Sequence, residues 1–368
     1  MLEAAVWVHG GTDALGVPAH DFSTNRNACG PCPAAVQALQ AAHVAQYPDP
    51  HYTELRAQLA KFHGVDTQRI VIGGSSSELI HRLTQHALRN GAQTVTLPKH
   101  HYGDYAQAAH VWGLSSPPHS GERAGAGLHW ACEPSSPLGQ AESVWPAWRL
   151  PLAELSAQGA GCEWRVLDCA YRPLWLEGMP PERDLDQLWQ LWTPNKALGM
   201  TGVRAAYAVA PAGVQEQELR AIGRLAPSWV VGAHGVAMLQ AWVTVEVQAW
   251  LTQSQATLRG WKAQQLALIQ RLGWQVVAGH CANYFVAQLP VPVATVSPCL
   301  AALREQGIKL RDCTSFGLPG HVRLGVLAPE AQSALEQAWR GLLSDKPQTA
   351  MAEQLRREIT ARCVAAND

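Results

Sequence analysis

The stretch LWTPNKALGMTGVRAAYAVA, residues 191–210, runs from a short apolar segment into a turn carrying one lysine, Lys196, with Arg204 eight positions later. A lone lysine is ordinarily a solvated surface charge, so its meaning depends on the rest of the chain. In VLDCAYRPLW, Asp168 ends a strand whose interior run is Trp164 to Leu167. A carboxylate at the end of a buried strand is costly to desolvate unless something cationic meets it. In VIGGSSSELIHRL, a strand passes through Gly73-Gly74-Ser75-Ser76-Ser77 into a helix. Glycines and serines at a helix start expose several backbone N–H groups, a cradle for a phosphate dianion. ACEPSSPLGQ adds a Pro/Gly turn after another strand.

These segments lie within a regular alternation. The apolar runs RIVIGG, QTVTLP, LHWACEP, WRVLDCAY, QLWQLWTP and RAAYAVA are separated by helical patterns. Strands alternating with helices predict an α/β architecture, a mainly parallel central sheet covered on both faces. Chemistry in such sheets collects at the carboxyl ends of the strands, where all of these segments sit. From about residue 245 the texture changes to one long helix, VQAWLTQSQATLRGWKAQQLALIQRLG, followed by the short strands ANYFVAQLP, IKLRDC and HVRLGVL. The expected organisation is an N-terminal segment, 1–40, joining the small domain, and a large cofactor-binding domain, 41–244. A small α+β domain, 245–345, and a helix or tail, 346–368, complete it.

Composition narrows the function class. Of 368 residues, 47% are hydrophobic and 15% charged, with 28 basic against 29 acidic residues and a net charge of −1. No electrostatic footprint for nucleic acid or an anionic membrane is present, and a small-molecule partner is expected. The most apolar stretch, WVVGAHGVAMLQAWVTVEVQAWL, is interrupted by His234, Glu246 and two glycines, and reads as a buried amphipathic helix rather than a membrane span. The opening MLEAAVWVHGGTDALG lacks a basic start followed by a long apolar run, so a cytoplasmic location is expected. Nine scattered cysteines fit reduced thiols better than a disulfide framework.

An amine, an isolated carboxylate, a phosphate nest and a guanidinium together match the needs of pyridoxal phosphate. The order and spacing resemble the class I/II aminotransferase family of fold-type-I pyridoxal-phosphate enzymes. That family's Ser-x-Ser-Lys-x-x-Gly-x-x-Gly-x-Arg-x-Gly-Tyr is met by Thr193-Pro194-Asn195-Lys196, Gly199, Gly202, Arg204 and Tyr207. Its Asp-x-Ala-Tyr is met by Asp168 to Tyr171, and its Tyr-Pro-Asp-Pro by Tyr47 to Pro50. Two departures stand out: the family's second asparagine in Asn-Pro-x-Asn-Pro-Thr-Gly is Ser136, and the serine before the lysine is Asn195.

The resemblance implies roles. Lys196 carries the cofactor aldehyde on its amine and then serves as general base, which requires a neutral amine. Asp168 pairs with the pyridine nitrogen, and Tyr171 hydrogen-bonds the ring oxygen. Gly74, Ser75, Ser76 and Arg204 hold the phosphate, and Tyr102 in HHYGDY stacks on the ring. Arg323 takes the substrate carboxylate. Tyr47 reaches the neighbouring subunit's phosphate, implying a homodimer with shared active sites. No metal is expected, since His100 and His101 lack a third ligand at useful spacing.

The N-terminus bears on the reaction. His-Gly-Gly at 9–11 and DFSTNRNACGP at 21–31 resemble the opening of L-threonine O-3-phosphate decarboxylases of cobalamin synthesis. Histidinol-phosphate aminotransferases are the nearest sister group. The changes at Ser136 and Asn195 leave room for a catalytically silent relative that only binds cofactor. For a phosphorylated amino substrate, Asn25, Arg26 and Arg311 are candidate contacts. Cys29-Gly30-Pro31-Cys32 has redox-site spacing, but no thioredoxin-like unit surrounds it and zinc would need two more ligands. It reads as a turn and helix start.

Overall fold

The computed structural model describes residues 9–116, 127–143, 148 and 163–343; the expected tail at 346–368 lies outside them. The chain runs through β1 (His20–Asp21), α1 (Pro33–Gln40), α2 (Thr53–His63), β2 (Ile70–Gly73), α3 (Ser76–Arg89), β3 (Thr94–Thr96) and α4 (Gly103–Trp112). Next come β4 (Gly127–Cys132), β5 (Glu163–Asp168), β6 (Trp189–Trp192), α5 (Pro194–Ala197), β7 (Ala206–Val209), α6 (Glu216–Gly223) and α7 (Ala233–Trp242). The remainder is α8 (Val245–Arg271), β8 (Gln275–Val276), β9 (Tyr284–Gln288), α9 (Val293–Glu305), β10 (Ile308–Lys309), β11 (Arg311–Asp312), β12 (His321–Gly325) and α10 (Pro329–Leu343).

Six strands form the central sheet in the order β2-β7-β6-β5-β4-β3. β3 to β6 pair in parallel, and β7 alone opposes its neighbours β2 and β6. β2, β5, β6 and β7 are buried along nearly their whole length because both faces are covered, whereas the edge strand β3, Thr-Val-Thr, buries only its valine. Val71, Val166 and Ala208 enter one buried cluster with Leu79 and Ile222 of α3 and α6, while Ile72, Leu167 and Val209 enter another with Leu59 and Met238 of α2 and α7. A fully buried side chain of leucine size stabilises such a layer by about 1.5–3 kcal/mol.

The second cluster continues into a four-stranded antiparallel sheet, β11-β12-β9-β8, backed by α8 to α10. The single strand expected from IKLRDC is split: β10 pairs in parallel with β1, whereas β11 pairs with β12. The N-terminal segment is likewise divided. Its β1 bonds to the small-domain strand β10, whereas α1 packs on α7.

The stretch 229–251 differs from the expected single helix. It forms α7 and the start of α8, broken where Thr244 accepts a hydrogen bond from Val247 N–H and so caps a new helix. No helix among the described residues is long and apolar enough to cross a membrane.

Candidate active site

A cavity of about 550 Å3 opens at the carboxyl ends of the central strands. Its wall takes Cys132 from the end of β4, Asp168 from the end of β5 and the turn Thr193–Lys196 after β6. From the small domain come Arg311 and Arg323, and from the N-terminal segment His9, Gly10 and Ser23 to Arg26.

Local sequence explains these positions. Gly73 lets β2 turn directly into α3, since a Cβ there would meet the Leu79 side chain at 2.4 Å. Ser75 then caps α3 by accepting from Glu78 N–H at 3.1 Å, leaving Ser75, Ser76 and Ser77 at the cavity. Asp168, 5% exposed, accepts hydrogen bonds from the Tyr105 hydroxyl (2.7 Å) and Ala170 N–H (2.9 Å). The Tyr105 ring stacks on Trp130 at 4.7 Å.

Lys196 Nζ donates to Thr193 Oγ1 at 3.2 Å and lies 5.5 Å from the centre of the Tyr171 ring. Burial lowers its pKa, with Asp168 opposing and Arg204 reinforcing the shift. Burial pushes the Asp168 carboxyl upward, while Lys196 and the Tyr105 hydroxyl resist. Burial also raises the Tyr171 phenol to about 12, with Arg323 and Asn25 pulling the other way. Arg323 Nη1 donates to Ser136 Oγ at 3.4 Å and Nη2 to the Ser23 carbonyl at 3.0 Å. Ser76 Oγ and Arg323 Nε, both buried on the wall, have no protein partner, and the Asn25 amide faces the Tyr171 phenol.

Of the residues singled out from sequence, the structure brings Lys196, Asp168, Tyr171, Ser75, Ser76, Tyr102, Arg204, Arg323 and Asn25 to one cavity, with Arg26 and Arg311. Gly74 is not on the wall; its N–H is bonded to the Glu78 carboxylate at 3.2 Å. Tyr47 is 77% exposed and stacks on Trp229 at 4.3 Å, outside the cavity of its own chain. No metal-ligating cluster occurs among the described residues. Cys29 and Cys32 are free thiols with pKa values raised by burial, and Cys32 sits at the start of α1 before Pro33.

Tyr105 is not among the expected site residues, and Thr193, matched as a motif position, carries no expected role. The available signal for Tyr105 was the three-residue step from Tyr102, which puts both rings on one side of a helix start.

The family description "Aminotransferase class I and II" matches residues 18–115 and 183–342. Histidinol-phosphate aminotransferase of Symbiobacterium thermophilum is 27% identical over 355 residues, 89% of this chain and 92% of that protein. Among solved structures, histidinol-phosphate aminotransferase from Sinorhizobium meliloti in complex with pyridoxal-5'-phosphate superposes with a TM-score of 0.67 at 19% identity, covering 87% of this chain and 90% of that one. L-threonine-O-3-phosphate decarboxylase from Porphyromonas gingivalis gives 0.63 at 21% identity, covering 84% and 94%. The two superpositions establish the fold.

Proposed function

The chain belongs to the class I and II aminotransferases, pyridoxal-phosphate-dependent enzymes, and from that footing we propose that it acts on a phosphorylated amino acid as an L-threonine O-3-phosphate decarboxylase-like enzyme. The observation that carries this reading is His9 and Gly10 on the same cavity wall as Ser23, Thr24, Asn25, Lys196 and Arg323. The two N-terminal motifs that resemble the decarboxylases thus meet the chemistry. On this reading the enzyme serves cobalamin synthesis.

The residues present fit the cofactor. Ser76 Oγ is an orphaned buried hydroxyl at the start of a 14-residue helix, where a phosphate is favoured, and Arg204 shares the wall. Asp168 is a buried carboxylate suited to a cationic ring nitrogen, and Tyr102 and Tyr171 supply an aromatic face and a hydroxyl. Bound there, pyridoxal phosphate supplies an electron sink for the pair left when a bond to the substrate Cα breaks.

This chain's own groups then divide the work. Lys196, its pKa lowered by burial toward the neutral form, is the group that accepts or returns a proton at Nζ. Arg323 binds the substrate carboxylate, its Nε having no other partner. Lys99 and Arg26 share the wall, together with Arg311, whose guanidinium is itself held by Ser315 Oγ at 2.8 Å, and this positive rim suits a second anionic group on the substrate. Asn25 offers its amide to the same molecule. We assign residues 41–244 to cofactor binding and the small domain to substrate binding. The exposed Tyr47 is assigned to the partner subunit of a homodimer.

Transamination of histidinol phosphate is the second reading, favoured by the Symbiobacterium thermophilum relative, and it uses the same residues. Incubation with threonine phosphate, and separately with histidinol phosphate plus 2-oxoglutarate, separates the two. Carbon dioxide release supports the decarboxylase and glutamate formation the transaminase. If a panel of amino donors leaves the bound cofactor unchanged and releases no carbon dioxide, a silent cofactor-binding relative is the correct reading.

A further inference from the structure

The segment from Phe22 to Cys32 touches both halves of the site. Its first part is held by the small domain: Gly325 N–H donates to the Phe22 carbonyl (2.8 Å) and Arg323 Nη2 to the Ser23 carbonyl (3.0 Å). Asn283 Nδ2 donates to the carbonyls of Asn25 and Arg26 at 3.1 and 3.2 Å. Its second part is held by the turn carrying Lys196. Asn27 N–H donates to the Lys196 carbonyl (2.8 Å), and Cys32 N–H to the Leu198 carbonyl (2.9 Å).

Asn27 is the joint. It is fully buried, and its Nδ2 donates both to the Ala197 carbonyl (3.0 Å) and to Ser254 Oγ of α8 (2.8 Å). Its Oδ1 accepts from Cys29 N–H at 3.0 Å, so every polar atom of the side chain is used. Just beyond, Gly30 and Gly199 lie in direct backbone contact, since a Cβ on Gly199 would stand 2.8 Å from the Gly30 Cα.

We infer that Asn27 is a positioning residue for Lys196, fixing the backbone that carries the amine and linking it to α8 and, through residues 22–26, to the strand bearing Arg323. The inference goes beyond the proposed substrate but rests on Lys196 being the cofactor-bearing amine. One short segment then connects the arginine assigned to the substrate carboxylate with the amine assigned to the reaction, and engagement at one end is felt at the other. The peptide N–H of residue 27 survives any substitution except proline, so the side-chain contribution can be tested separately. The charged and titratable groups facing the amine are Asp168, Arg204, Cys132, Arg323 and Tyr171. A loosened turn lets water reach the Lys196 nitrogen and favours its protonated form, both as the free amine and when it carries the cofactor.

The test uses the full-length holoenzyme and Asn27→Ala. Two readouts apply: the pH midpoint of the lysine-dependent cofactor absorbance, and the rate at which cofactor leaves after dilution. The expected result is a midpoint moved to higher pH and release accelerated roughly tenfold, the scale of one lost buried hydrogen bond. In turnover, kcat falls more than KM rises. A variant that melts at lower temperature but keeps the wild-type midpoint and release rate overturns the inference, because Asn27 is then merely structural. Should Asn27→Ala not fold, Ser254→Ala, which removes the bond from Asn27 to α8 together with the hydroxyl's bond to the Leu251 carbonyl, decides on the same two readouts. Absorbance that persists in Lys196→Ala would instead refute the assignment of Lys196, and the inference with it.

Discussion

Tyr105 and Asp168 share a 2.7 Å hydrogen bond in which the phenol donates to Oδ2 of a carboxylate that has almost no exposure to water. The bond is charge-assisted, and the stack of Tyr105 on Trp130 fixes its direction. Asp168 therefore enters the cavity already oriented.

Tyr105→Phe keeps the ring and its stack and removes only the donor. A hydrogen bond to a charged group contributes about 1.5–3 kcal/mol, so cofactor affinity is expected to fall by at least about tenfold. Titration of the cofactor-free variant, followed by tryptophan fluorescence, measures it. Unchanged affinity would show that Ala170 N–H alone suffices to orient the carboxylate.

Lys196→Ala is expected to abolish the yellow absorbance and the turnover of the holoenzyme while leaving the fold intact. Absorption spectra and circular dichroism of the purified variant check both halves of the statement.

Lys196 also gives the cofactor-free protein a signed pH dependence. Its folded pKa lies below the unfolded value near 10.4, so in that window the unfolded chain holds the extra proton and stability rises with pH. Lys196→Met is expected to melt higher than wild type at neutral pH, the gap narrowing as the pH approaches the ordinary lysine range. Thermal melts taken upward from neutral pH toward about pH 10, just below the unfolded lysine value, decide it.

Two carboxylates set part of the acid limb. Thr53 and His51 N–H groups hold Asp49 down at about 2, and Arg304 and Lys309 hold Asp13 lower still. Both folded values lie below the unfolded value near 3.9, so their stabilisation is present above that value and is lost as pH falls through the folded one. Asp13→Asn combined with Asp49→Asn should flatten the loss of stability below about pH 4 in acid titrations.

Gly30→Ala puts a Cβ 2.7 Å from the Leu198 carbonyl oxygen and 2.9 Å from the Gly199 Cα. Neither backbone can yield cheaply, and a cost of about 1–3 kcal/mol is expected in denaturant unfolding. By contrast, Cys29→Ser and Cys32→Ser should retain turnover, because burial raises both thiols and neither faces the cavity.

The strands were legible because both faces of the central sheet are covered, which makes apolar runs such as RIVIGG and RAAYAVA nearly continuous. The break between α7 and α8 was less legible. The residues on either side are helix-compatible, and a single threonine cap decides it. The split of IKLRDC between two sheets was hidden for a different reason, because pairing partners far away in sequence set it.

By itself the sequence determined which reactive groups exist and which strand or helix end each one follows: Lys196 after β6, Asp168 at the end of β5, the serines at the start of α3. Local spacing and backbone preference fix those relations. Only the tertiary structure decided what these groups meet. It took Tyr47 to the surface, Tyr105 to Asp168 and Asn27 to the back of the lysine turn. The last two are contacts across 63 and 170 residues of chain, between segments that close packing of separate layers brings together and no local preference encodes.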